Sequence, residues 1–95
     1  MTVPHLLVHE NDDNVGVVVV ENLKAGTQML CCVTADNSTF KLKVEADVPI
    51  GHKVALKELK KGDTAIKYGE DIGKIVADVG KGEHVHIHNL KTKRW

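Results

Sequence analysis

Asp47-Val48-Pro49-Ile50-Gly51-His52-Lys53-Val54 sets an acidic residue, an aliphatic, two residues, a glycine, two more residues and an apolar residue in that order. The order returns three times, with an acid or an amide at its head: Asn22-Leu23-Lys24-Ala25-Gly26-Thr27-Gln28-Met29, Glu58-Leu59-Lys60-Lys61-Gly62-Asp63-Thr64-Ala65 and Asp78-Val79-Gly80-Lys81-Gly82-Glu83-His84-Val85. Each copy reads as a tight corner. The glycine takes a positive φ, the aliphatic tucks under the turn, and a new strand leaves after it. The four glycines stand 25, 11 and 20 residues apart, so the corners are a reused turn and not a tandem array. Four such corners in 95 residues fold a long ribbon back on itself, which makes an irregular, mainly β domain of short strands.

Between the corners, Val and Ile crowd into short runs bounded by Gly, Asp and Asn, and no stretch longer than about ten residues keeps the 3.6 period of an amphipathic helix. Strands are predicted over residues 6–8, 15–20, 29–34, 39–44, 54–56, 65–68, 74–77 and 85–88. Turns are predicted at 11–14, 36–38, 68–71 and the Gly80/Gly82 pair. Residues 39–44 alternate polar and apolar, the mark of an edge strand with one wet face. Residues 17–20 are apolar throughout, which predicts a central strand covered on both faces.

The chain is 42% hydrophobic but only 3% aromatic, so its core is built from Val, Ile, Leu and Ala and is thin. Residues 1–95 are expected to form one small domain, marginal alone or supported by a partner. Thirteen basic and 13 acidic side chains leave no excess of positive charge for a nucleic acid. The longest apolar run, at 15–20, falls far short of the roughly 20 residues of a membrane span. The N-terminus has neither the basic start nor the cleavage site of a secretory signal. Cys31 and Cys32 are adjacent in a strand-like run, point to opposite faces and do not bridge. A reducing, cytoplasmic setting is expected.

The chemistry concentrates in histidine. Three of the six histidines stand in Glu83-His84-Val85-His86-Ile87-His88-Asn89, where strand alternation would project all three imidazoles from one face. Imidazoles so spaced suit acid–base work near neutral pH, or the contribution of one or two groups to a metal; no finger-like ligand pattern accompanies them. His52 follows the Gly51 corner, where a rigid turn can aim it into a cleft. Lys67 is suited to a substrate carboxylate, and Tyr68 to offering a hydroxyl. His5 and His9 are assigned to structure, and the acidic run 10–14 to a solvated turn, because it lacks the glycine and the closing glutamate of a calcium loop.

Taken together, Asp13-Asn14-Val15-Gly16-Val17, Leu23-Lys24-Ala25-Gly26, Gly51-His52-Lys53-Val54-Ala55-Leu56, Ile66-Lys67-Tyr68-Gly69-Glu70-Asp71-Ile72-Gly73 and His84-Val85-His86-Ile87-His88-Asn89-Leu90 resemble the N-terminal SAF domain of the altronate and galactarate dehydratase family. The resemblance covers residues from about 13 to 92 and implies the β-clip fold, a long bent ribbon folded over itself. In the fused dehydratases a large catalytic domain follows this one, whereas this sequence stops at Trp95. The expectation is therefore a small subunit that pairs with a separate large catalytic subunit. The branch of the family built that way is a carbon–sulfur lyase, which eliminates sulfite from sulfolactate, a 2-hydroxy acid, to give pyruvate. The resemblance further implies a divalent metal, iron in many members, held mainly by the large subunit, with no metal ligand assigned on this chain. It implies a cap over the active site in which His52, His86 and His88 are catalytic and Lys53, Lys67 and Asn89 touch substrate. Two other readings stay open: the small subunit of a split sugar-acid dehydratase of altronate type, and a non-catalytic SAF module for assembly or regulation.

Overall fold

The computed structural model describes residues 4–67, 70–86 and 88–91, and among these every regular element is a strand. The strands are β1 (Leu6–Val8), β2 (Val15–Val18), β3 (Gln28–Val33), β4 (Ser38–Lys43), β5 (Lys53–Ala55), β6 (Thr64–Lys67), β7 (Glu70–Ile75), β8 (His84–Val85) and β9 (Leu90–Lys91). Six form one sheet in the order β4-β3-β1-β2-β5-β8, and three form a second in the order β6-β7-β9. The mainly β fold is thus as expected from the sequence and consistent with an SAF domain.

The corners behave as their pattern predicts. Leu23, Val48, Leu59 and Val79 are buried beneath the four turns, and each corner glycine has a positive φ, 87° at Gly51 for example. The corners also close on one another in pairs, Leu23 bridging Val48 and Leu59 bridging Val79. One set of hydrogen bonds is built twice. The amide of Gly26 donates to Val44 O at 2.8 Å, and that of Gly62 to Ile75 O at 2.8 Å. Gly51 donates to Val18 O at 2.9 Å, and Gly82 to Ala55 O at 2.8 Å. In each pair the acid heading the second corner caps the first: Asp47 Oδ1 accepts the Ala25 amide at 2.8 Å, and Asp78 Oδ1 accepts that of Lys61 at 2.7 Å. An acid heads these positions because it can satisfy an amide that the turn leaves without a ladder partner.

This doubling positions the site. β5 leaves the Gly51 corner and β8 leaves the Gly82 corner, and the two pair antiparallel with Lys53 opposite Val85 and Val54 opposite His84. Two aliphatic clusters lie beneath, one around Leu6, Met29, Val44, Val48 and Val54, the other around Val15, Leu59, Ala65, Ile75 and Val85. Each Val, Leu, Ile or Met among them, once fully buried, contributes about 1.5–3 kcal/mol.

Four expectations are corrected. β2 is central, but Val17 and Val19 are only half-buried and face a shallow groove of about 190 Å³, so its outer face is not covered. β4 is an edge strand, yet Phe40 is 37% exposed, because on this outermost strand it lines an open groove with Val8, Val33 and Leu42. The strand predicted at 74–77 begins earlier, at Glu70, where Asp71 Oδ1 accepts the Gly73 amide at 3.0 Å and the ladder with β6 slips at a bulge. The acidic run is not wholly solvated. Asp13 and Asn14 are buried, and Asn14 ties β2 to β6 by accepting the Ile66 amide at 2.7 Å and donating to Thr64 O at 2.8 Å. His5 is structural as expected, its Nδ1 accepting the Leu30 amide at 3.0 Å.

Candidate functional site

Continuing the β5/β8 register by one residue brings His52 opposite His86 and diagonal to His84, within side-chain reach in an antiparallel pair. The rings meet accordingly. His52 and His86 stack with centroids 3.6 Å apart and planes 13° from parallel. His52 Nδ1 lies 2.7 Å from His84 Nε2. His88 tilts against His84 with centroids 4.9 Å apart.

The three histidines do not share a strand face, as alternation over 85–88 predicted. β8 ends at Val85 and the chain turns through His86, His88 and Asn89; Ile87 lies outside the described residues. Asn89 shapes that turn. It is buried, its Oδ1 accepts the His86 amide at 2.9 Å, and its Nδ2 donates to His84 O at 2.8 Å. The amide of Leu90 closes the turn on His86 O at 2.9 Å. Both ends of the Asn89 carboxamide are therefore engaged with the chain that carries the histidines.

Lys53 sits on β5 beside the cluster and is half-buried. Partial burial, and then the positive charge of Lys67, hold its ammonium below the usual lysine range. Lys67 ends β6 and lines the groove with Leu7, Val17 and Val19. Burial, followed by His88, His52 and His86, lowers the pKa of His84. The pKa of His86 is lowered by desolvation and then by His52, Lys53 and His88. The structure thus gathers His52, His86, His88 and Lys53, with Lys67 next to Lys53 and Asn89 beneath. Tyr68 lies outside the described residues. His84 joins the cluster as a further functional residue: its alternation with His86 was the available signal in the sequence, and its contact with His52 arises from the strand register.

Among the described residues, no three His, Cys, Asp or Glu side chains converge on a point where an ion would sit. Stacked rings such as those of His52 and His86 turn their faces to each other and not their lone pairs to a common centre. By themselves these donors do not fit a resident divalent metal.

Among the described residues, nine strands fold over paired corners, with a histidine cluster where two of the corners meet. Residues 4–93 match the altronate/galactarate dehydratase SAF domain, and the chain belongs to that family. Within it, the chain is 70% identical over 67 residues to the (2R)-sulfolactate sulfo-lyase subunit alpha of Paracoccus pantotrophus, covering 70% of this chain and 100% of the relative. It is 48% identical over 89 residues to the protein of the same name from Chromohalobacter salexigens, covering 94% and 95% of the two chains. The altronate dehydratase of Escherichia coli is 45% identical over 80 residues, which is 84% of this chain but 15% of that much longer enzyme.

Proposed function

We propose that this chain is the small subunit of a lyase that, with a separate large subunit, eliminates sulfite from (2R)-sulfolactate to leave pyruvate. The observation that carries this reading is the likeness to two sulfo-lyase alpha subunits along essentially their whole length. The altronate dehydratase likeness spans only a small part of that enzyme. A base takes the C2 proton, the C2–H electrons form the C2=C3 bond of an enol, and the C3–S bond breaks with its pair leaving on sulfite. The enol gains a proton at C3 and loses its hydroxyl proton, so sulfolactate becomes pyruvate and bisulfite.

On this chain, His52, His86 and His88 are assigned to proton transfer at the cap of the site. Lys53 and Lys67 are assigned to the carboxylate and sulfonate, since charge-assisted hydrogen bonds to oxyanions are the strong ones. Asn89 borders the substrate and holds the turn beneath the imidazoles. Related dehydratases commonly depend on a divalent metal, and we place that metal, iron first, on the large subunit. The free thiols Cys31 and Cys32 favour a reducing, cytoplasmic setting. No helix among the described residues is long and apolar enough to cross a membrane, and the balanced charge gives no hold on nucleic acid.

The test supplies sulfolactate and altronate separately to the mixed subunits with ferrous iron. Sulfite and pyruvate in equal amounts from sulfolactate support the reading. Water loss from altronate without sulfite release would move the chain to a split sugar-acid dehydratase.

A further inference from the structure

We infer that His52 and His84 work as one proton-holding pair: His84 accepts the Nδ1–H of His52 and so leaves Nε2 of His52 as the bare nitrogen that removes the substrate's C2 proton. His84 is then a positioning residue, and this role rests on the elimination proposed above.

The geometry carries it. At 2.7 Å, Nδ1 of His52 and Nε2 of His84 tolerate one proton between them. Two lone pairs would repel at that distance and two N–H groups would clash. The plane of the His52 ring and the backbone of His84 are both held. The His52 ring lies flat on His86 at 3.6 Å. The backbone of His84 is fixed opposite Val54, and its carbonyl is bound by Asn89.

The direction of the bond follows from the role proposed for His52: a ring that takes a proton at Nε2 must carry its own proton at Nδ1, and Nε2 of His84 is the acceptor within reach of that position. Partial burial, then His88, His52 and His86, lower the pKa of His84, which suits it to accept as the neutral ring. The reverse arrangement would leave His52 already protonated at Nε2 and unable to act as a base. The titratable groups around the pair are His86 and His88 beyond β8, Lys53 on β5 and, next to it, Lys67 on β6. All are basic; together they oppose a standing extra proton and favour a doubly anionic substrate.

The experiment is long-range ¹⁵N–¹H spectroscopy of the full chain labelled at histidine, free and with the large subunit, together with the kinetics of His84→Phe and His84→Gln in the complex. Wild type is expected to show His52 protonated at Nδ1 and bare at Nε2. In His84→Phe, His52 loses that preference and kcat falls roughly 10²-fold, the scale of a positioned acid or base. KM stays within about twofold, because the groups assigned to the substrate's oxyanions are untouched. His84→Gln, whose carboxamide oxygen reaches the place of Nε2, restores the Nδ1–H form and most of kcat. A wild-type His52 protonated at Nε2 overturns the inference, whether or not either variant folds. So does a His84→Phe complex with unchanged kcat and tautomer. A complex that releases no sulfite would overturn the sulfo-lyase reading, while the wild-type tautomer would still decide the pair.

Discussion

The carboxamide oxygen of Asn89 accepts the backbone amide of His86 at 2.9 Å, while its nitrogen donates to the carbonyl of His84 at 2.8 Å. One buried side chain thereby fixes the backbone on both sides of Val85. This explains how the histidines stay together although the strand that carries them ends so early. Removing a buried partner leaves two backbone groups unsatisfied, so Asn89→Ala is expected to cost about 1–3 kcal/mol. It is also expected to lower turnover of the complex. Urea midpoints and kcat measured on the same variant check this, and an unchanged midpoint would show that the turn holds without the carboxamide.

Stability should fall on acidification through the histidine range. His84 and His86 both have lowered values when folded, against an ordinary value of 6.5. Below that value the unfolded chain binds more protons than the folded one, so stability is full above about pH 6.5 and declines as pH drops through the lowered values. Melting temperatures at pH 7.5, 6.5 and 5.5 should show the decline, and the double variant His84→Gln with His86→Asn should flatten it. A parallel decline in that variant would place the proton uptake elsewhere.

Two corner glycines with similar backbone angles should respond differently to alanine. Gly26 has a φ of 91° with nothing near an added Cβ, whereas at Gly82, with a φ of 86°, a Cβ would meet the carbonyl oxygen of Lys43. Gly26→Ala is expected to cost about 1 kcal/mol from the positive φ, and Gly82→Ala more, about 2–3 kcal/mol, as strain adds to the contact. Equal losses would mean that the Lys43 carbonyl yields freely.

The two adjacent thiols should separate by reactivity. Burial pushes the Cys31 thiol up to about 11, while Cys32 is half-exposed on the other face of β3. Iodoacetamide at pH 8 should modify Cys32 and reach Cys31 only after denaturation, as peptide mapping would show. Modification of Cys31 in the native protein would contradict its burial.

The fold was legible because the corners carry their own chemistry. An acid or amide, an aliphatic and a glycine at fixed spacing specify a turn locally, and all four formed. What the sequence did not reveal was which corner closes on which, since that depends on pairing across twenty residues or more. Phe40 falls on the apolar face of residues 39–44 yet stays exposed, because alternation reports which face a side chain takes and not whether anything lies over it. Asn14 was misread because its partners, Thr64 and Ile66, are some fifty residues away. At the site, the histidines and lysines could be picked out by residue type. The His52–His84 contact arises from the β5/β8 register, which no local pattern encodes.

The most direct measurement titrates a fixed amount of the large subunit with this chain and follows sulfite released from (2R)-sulfolactate. Negligible release is expected without this chain, then a rise to saturation at a fixed ratio of subunits, and a saturating rate roughly 10²-fold lower when His52→Asn is used in its place. Release by the large subunit alone at the rate of the mixture would contradict this expectation.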